Sequence, residues 1–274
     1  MASGHAKSGV VTGLVVADLA HTSILVGLVL AVLTAGAALL PDLDHPSATA
    51  AHAFGPVSEL LARGLNRLGE IVHEATRTRY DRRPRDGHRT VTHTLVFAVG
   101  MGIAVGTLDA TGGRWALLGT LFVLASLAIR GLAARPYVEG APRVRRTRFH
   151  ANAVSVSGYA AILTAAAYFT VPQINPVLVG GCTALGCWTH CLGDSCTLAG
   201  CPWLWPFRVR GRRWYPIGTP QFLRFRTGTA EWDGEDRLGV AMSIAIVLLA
   251  VTLVPHSWAI LGHSAHGVYI ALVR

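Results

Sequence analysis

Three short stretches hold the side chains that could do chemistry. "PDLDHP" (41–46) carries Asp42, Asp44 and His45, "GHRTVTH" (87–93) carries His88, Arg89 and His93, and "HCLGD" (190–194) carries His190 and Asp194. His190 and Asp194 are four apart, so on a helix they share one face. Imidazole nitrogens and carboxylate oxygens together suit a divalent cation such as zinc, with manganese or iron as alternatives. These seven candidate ligands exceed the four that one tetrahedral zinc uses, which leaves room for two metals. With Asp42 or Asp44 as a bridge, such a pair would activate water and clamp a phosphoryl oxygen, and either carboxylate could orient or deprotonate that water. Arg89, beside the ligands, suits a bidentate contact to phosphate that neutralises developing charge. Taken singly, each cluster has a plainer reading: Pro41 and Pro46 make the first a turn, His88 fits a solvated loop, and His190 fits a packing histidine. What sets them apart is the depth at which the surrounding elements should place them.

Those elements are apolar. Of 274 residues, 51% are hydrophobic and only 14% charged, against about 25% charged in soluble domains. Stretches long enough to cross a bilayer fall at 22–40, 91–110, 114–132, 151–171, 176–193 and 238–255, with a weaker one at 257–273. Of the 24 Lys and Arg, 21 lie in three connections, 41–90, 130–150 and 194–237, while 111–113 and 172–175 carry none. By the positive-inside rule the loops 41–90, 133–150 and 194–237 face the cytoplasm. All three clusters then stand at the same depth on the same side, where ionisable groups are costly unless paired, hydrated or ligating. The formal charge of +9 therefore reads as topology and contact with anionic lipid headgroups, and no nucleic-acid partner is expected. Within residues 9–40, Asp18, His21 and Thr22 interrupt the apolar run. A short helix, a turn and a spanning helix are expected, with residues 1–8 on the cytoplasmic side. Lys7 is the sole basic residue before a run too long for a signal peptide, so no cleavable signal is expected. The expected fold is all-α, a multi-pass bundle of six or seven spanning helices in the cytoplasmic membrane, with residues 1–274 as one domain.

The cytoplasmic loops differ in character. "PVSELLARGLNRLGEIV" (56–72) places Leu60, Leu61, Leu65, Leu68, Ile71 and Val72 at helical spacing, an amphipathic helix suited to the inner leaflet. "TRTRYDRRPRDG" (76–87) reads as a solvated turn and "RPYVEGAPRVRRTRFH" as a plain connection. "CPWLWPFRVRGRRWYPIG" interleaves Trp203, Trp205, Phe207, Trp214 and Tyr215 with four arginines. That pattern fits an interfacial hairpin with indoles at headgroup depth better than a platform for single-stranded nucleic acid. The acidic run 231–236 reads as a solvated turn, so Glu231 is left out of the ligands. Cys182, Cys187, Cys191, Cys196 and Cys201 lack the C-x2-C spacing of a thiolate metal site and read as reduced packing residues.

The motifs "GHAKSGVVTG", "LLPDLDHPS", "HRTVTHTL" and "THCLGDSCTLAGCPWLWPF", in that order, resemble the LexA-regulated inner-membrane metal-dependent hydrolase family, from His5 to about Glu231. The resemblance implies a metal centre built from His5, Asp42, Asp44, His45, His88, His93, His190 and Asp194. The closing H-x3-D is also similar in pattern to the zinc phospholipase C and single-strand nuclease group, whose trinuclear zinc sites cleave phosphodiesters. Three features depart from the family: Thr94 stands where serine is usual, the loop between the first two His/Asp motifs is long and arginine-rich, and Cys191 and Cys196 replace residues that are usually plain apolar or small. The expected function is metal-dependent hydrolysis at the inner leaflet, on a phosphoester of a lipid or amphiphile. The alternative is a non-catalytic metal-binding membrane protein or a transporter. The helices at 114–132, 151–171 and 238–255 offer only Ser126, Thr164, Ser243 and Thr252 deep in the membrane, which argues against an ion path.

Overall fold

The polar interruption at Asp18, His21 and Thr22 is where the chain first turns. In a computed structural model that describes residues 2–84, 86–133, 153–169, 174–220 and 234–253, α1 (Ala2–Leu19) ends there and α2 (Ile24–Ala37) begins. Ser23 caps α2 by accepting the Val26 N–H at 3.4 Å. Two short 3-10 turns, Pro41–Asp44 and Ala50–His52, lead into α3 (Pro56–Thr76). A third, Val91–His93, precedes α4 (Leu95–Ala133). Then come α5 (Ala153–Ala167), α6 (Pro176–Ser195) and α7 (Gly234–Leu253). Among the described residues there are no strands, only isolated bridges between Cys201 and Ile217 and between Val209 and Arg212.

The α4 run of 39 residues would extend roughly 58 Å as one straight helix, about twice a bilayer core. It is broken at Gly113, whose φ of 59° and ψ of −148° are non-helical, a conformation that glycine adopts without steric cost. Asp109 accepts the Thr120 hydroxyl at 2.9 Å across this break. Residues eleven apart on a straight helix would stand about 16 Å apart, so the chain reverses and α4 is a hairpin of two arms, 95–112 and 114–133. This matches the two separate apolar runs and their uncharged connection. Asp109, only 2% exposed, is a buried acid that the composition of these runs had not singled out.

The first arm packs on α6, where Gly102 and Gly106 approach Gly180, and the second on α2, where Leu124 meets Gly36, while α1 lies against α2, α6 and α7 and α5 against α4. Leu30, Leu33, Leu39, Leu121, Leu124, Leu127, Val179, Cys182 and Cys187 fill the centre. All five cysteines are free, and all but Cys196 are buried. Among the described residues, two helical runs are long and apolar enough to cross a membrane, Ile24–Asp44 and the broken Leu95–Ala133, with shorter apolar helices at Val154–Ala167 and Gly239–Leu248. The second basic connection (134–150), Glu231 and the closing apolar run 257–273 lie outside the described residues.

The crossing of α2 and α4 is close enough that a Cβ at Gly36 would collide with the Leu124 carbonyl, whereas one at Gly100 meets nothing within 4 Å. Gly36→Ala is therefore expected to destabilise the protein by about 1–3 kcal/mol, the usual range for overpacking. Gly100→Ala should be neutral or mildly stabilising. Thermal melts in detergent check the pair, and equal melting temperatures would contradict this packing.

Candidate metal centre

Four helix ends bring the histidines and acids together. The first turn of α1 supplies His5, the turn after α2 supplies Asp42, Asp44 and His45, the approach to α4 supplies His88, Arg89 and His93, and the last turns of α6 supply His190 and Asp194. Successive helices running up and down the bundle bring these termini to one end. Arg89 adopts a left-handed φ of 55°. All eight candidate ligands fall in one cluster. His5, Asp44, His93, His190 and Asp194 are buried, while Asp42, His45 and His88 are partly exposed.

The hydrogen bonds of the ring nitrogens fix which of them carry lone pairs. His190 Nδ1 is 2.8 Å from the Ala38 carbonyl, to which only a protonated nitrogen can donate. The neutral ring therefore carries its lone pair on Nε2. His93 Nδ1 faces the Thr92 hydroxyl at 3.0 Å and Asp44 Oδ2 at 3.4 Å, which likewise leaves Nε2 as the acceptor. These two Nε2 atoms stand 3.2 Å apart, and two lone pairs at that separation repel unless a positive charge lies between or beside them. Asp194 Oδ2 lies 3.4 Å from His93 Nε2 and 3.7 Å from His190 Nε2. His5 stacks on His190 with ring centroids 3.9 Å apart, and its Nε2 is 3.6 Å from Asp194 Oδ1. Both His5 Nε2 and Asp194 Oδ2 are buried without a hydrogen-bond partner, a state that costs each group its desolvation energy. These donor atoms fit a divalent cation.

They form two sets whose donor atoms lie within 4.8 Å of one another: His5, His190 and Asp194, and Asp42, His88 and His93. Three protein ligands per set leave a position free, the pattern of catalytic rather than structural zinc sites. Asp42, 18% exposed, belongs to the second set and also faces the first, with Oδ1 3.5 Å from His190 Nε2 and 3.9 Å from His93 Nε2. Asp44 belongs to neither set. One of its oxygens contacts His88 Nδ1 at 2.7 Å and the other accepts the Thr92 hydroxyl, so it holds imidazoles by the nitrogen turned away from the cluster. His45 is marginal, its Nδ1 accepting from Ser47 (Oγ at 2.9 Å) and its ring edge-on to His88 at 4.5 Å. Arg89 is committed to protein groups: Nη2 donates to Asp194 Oδ1 at 3.0 Å, and Nη1 donates to Thr197 Oγ1 at 3.0 Å and the Gly200 carbonyl at 3.2 Å.

Sequence reasoning missed the supports. Asn66, on the buried face of α3, donates to the Asp44 carbonyl at 2.9 Å and accepts the Gly87 N–H at 3.3 Å, which ties the two ligand-bearing loops together. Thr92 could have been found, because it sits inside "HRTVTH" next to a ligand; Asn66 and Thr197 carry no such signal. Thr92→Val, which keeps shape and removes the hydroxyl, is expected to weaken metal binding about 10- to 100-fold, as loss of an outer-sphere partner does. Thr92→Ser should restore it. A competitive chelator titration reads both, and wild-type affinity in Thr92→Val would contradict this role.

The aromatic, arginine-rich loop departs from its expectation. Rather than presenting its indoles outward, it turns Trp214 inward to 7% exposure, stacked on His73 at 4.6 Å and on Trp205 at 5.2 Å. Trp203 packs against Trp188 at 4.8 Å, and its carbonyl accepts the Leu95 N–H at 2.8 Å. The reason is Asp81, buried in the loop after α3, which accepts the Trp214 N–H at 3.1 Å and the Arg213 N–H at 3.2 Å. Burial pushes the Asp81 carboxyl up, but hydrogen bonds from Thr78, Trp214 and Arg213 outweigh it and hold its pKa below the usual carboxylate value. Burial lowers the His73 pKa, against opposing pulls from Asp81 and Glu74. Both shifts are downward, so both groups stabilise the docked loop above their ordinary pKa values and lose that contribution on acidification. Docking, followed by tryptophan emission, should weaken first through the imidazole range and again as pH falls through the depressed Asp81 value. Asp81→Asn should abolish the second step; its survival in that variant would contradict the assignment.

Residues 1–135 and 140–259 match a family model described as YdjM inner membrane protein. No curated protein and no solved structure matches the chain.

Proposed function

The chain belongs to the YdjM inner membrane protein family, and from that premise we propose that it is a membrane-bound, metal-dependent hydrolase acting at the inner leaflet on a phosphoester of a lipid or amphiphile. The membrane location follows from the family and the apolar helices. The further reading is a multi-pass bundle in which residues 1–274 form one domain, with the basic loops and the site facing the cytoplasm, as their arginines favour. The observation that carries the function is the meeting of His93 Nε2 and His190 Nε2 at 3.2 Å beside two buried, unpartnered donor atoms, His5 Nε2 and Asp194 Oδ2.

In this reading His5, His190 and Asp194 hold one divalent ion and Asp42, His88 and His93 are placed for a second, with zinc favoured by the mixed ligand set and manganese or iron compatible with it. The chemistry such ions supply is acidification of water and polarisation of a phosphoryl oxygen. Asp42 is the partly exposed carboxylate of the second set that also faces the first, and we assign it the proton taken from water. Asp44 is a positioning residue, fixing the rings of His88 and His93. Arg89 orients Asp194, and its charge keeps a phosphoester favourable beside three carboxylates. His45 borders the entrance.

The test is release of the aryl alcohol or of the lipid alcohol and its phosphomonoester partner from a panel of aryl phosphodiester and phospholipid substrates by detergent-purified protein supplied with zinc or manganese. Asp42→Asn is expected to lower turnover about 10²- to 10⁴-fold, the usual contribution of a positioned base, while the ion of the His5, His190 and Asp194 set is retained. Full turnover in Asp42→Asn would remove that assignment. Bound metal with no turnover on any phosphoester would leave a metal-binding membrane protein without hydrolase activity.

A further inference from the structure

A second charged feature lies outside the metal centre. The end of α3, the turn that follows it and the aromatic loop enclose a cleft of about 480 Å³ lined by Arg77, Arg79, Arg208 and Arg213, with Tyr80 and Gly211. Its walls are fixed by groups other than the guanidinium heads. Asp81 accepts the Thr78 N–H at 2.7 Å as well as the Arg213 and Trp214 N–H groups of the aromatic loop. The Thr78 hydroxyl lies 3.0 Å from the Gly211 carbonyl, and Trp214 Nε1 donates to Thr76 Oγ1 at 3.1 Å.

The charge is unbalanced. Arg77 alone has a carboxylate partner among the described residues, Glu74 at 2.7 Å. Arg79 donates to the Tyr80 hydroxyl at 2.6 Å and lies over its ring, and Arg213 Nη1 donates to the Thr76 carbonyl at 3.2 Å. Neither contact cancels charge, and Asp81 directs its oxygens at N–H and O–H groups. Holding guanidinium groups around one opening is unfavourable unless an external anion joins them, and their planar forks match phosphate oxygens in bidentate fashion.

The setting says where that phosphate comes from. On α3, which leads into the cleft, the side packed on the protein is small or polar: Ser58, Ala62, Gly69 and His73 are buried. The outward side is apolar, with Val57, Leu60, Leu61, Leu68 and Ile71 between 50% and 74% exposed. This reverses the pattern of a soluble helix and suits an apolar face laid into the headgroup boundary of a leaflet. The arginines at its end are then at phosphate depth.

We propose that this cleft is a phosphate-binding site that seats the headgroup phosphate of an anionic phospholipid, separate from the metal centre. The proposal stands without the hydrolase reading, because it uses none of the same residues.

The test uses the full chain in phosphatidylcholine nanodiscs, titrated with short-chain phosphatidylglycerol and, separately, with inorganic phosphate, and read by tryptophan emission and calorimetry. Saturable lipid binding is expected, weakened at least tenfold by Arg79→Gln with Arg208→Gln and unchanged by Arg63→Gln, which lies on α3 away from the cleft. Arg79→Lys with Arg208→Lys should give an intermediate loss, since charge is kept and the bidentate fork is not. Competition by inorganic phosphate would show that the phosphate alone is read; lipid binding without competition would show that the lipid is the ligand. The proposal is overturned if the wild type binds phosphatidylglycerol no better than phosphatidylcholine, if inorganic phosphate binds and the lipid does not, or if the double glutamine variant binds as the wild type does. That variant should keep its metal, and His190→Ala should keep its lipid binding, so the two sites fail separately.

Discussion

His190→Ala is expected to lose more than 100-fold in metal affinity, and with it all metal-dependent turnover. Loss of an outer-sphere partner already weakens binding about 10- to 100-fold, and His190 is closer to the centre than that. Its Nδ1 is held by the Ala38 carbonyl at 2.8 Å, so its Nε2 is aimed at the cluster before any ion arrives. Its ring also stacks on His5 at 3.9 Å, and truncation therefore frees a second ligand. His93→Ala should behave alike, because the two Nε2 atoms meet at 3.2 Å. The double variant should be hardly worse than either, as is usual for residues acting as a unit. Chelator competition gives the affinities; retention of wild-type affinity in His190→Ala would place the ion, if any, elsewhere.

The second large effect should come from Asp194→Asn. Asp194 lies within 3.7 Å of three imidazoles and accepts a hydrogen bond from the Arg89 guanidinium at 3.0 Å. Neutralising a buried acid while its arginine stays in place leaves a charge without its partner, a change that costs about 3–5 kcal/mol. Asp194→Asn should therefore lose both metal and stability. Asp42→Asn, at a partly exposed position without an arginine, should keep its stability. The cycle completed by Arg89→Gln separates the two roles: the double variant should regain part of the stability and none of the metal. A double variant that melts no higher than Asp194→Asn would show that the ion pair does not couple the two residues.

How much of this was legible in the sequence depends on how local the cause is. The turn at Asp18–Thr22 and the reversal at Gly113 could be read because polar or glycine residues interrupt apolar runs, and a bilayer sets the length between them. The grouping of "PDLDHP", "GHRTVTH" and "HCLGD" was readable because alternating helices return their ends to one side. What each side chain does there was not. Asp44 and Asp42 are two residues apart in one motif, yet one grips imidazoles from behind and the other faces the gap between the ligand sets. That difference arises from Thr92 and Asn66, whose contacts span 48 and 22 residues. The aromatic loop shows the same limit. Its composition suits a headgroup boundary, but one distant carboxylate, Asp81, gathers its backbone and turns Trp214 onto His73.

The most direct measurement is metal content per chain, by elemental mass spectrometry on gently purified protein, wild type beside His190→Ala. At least one equivalent of zinc, manganese or iron is expected in the wild type and none in the variant. A folded wild type that stays metal-free after metal add-back would contradict the metal centre, and with it the hydrolase reading.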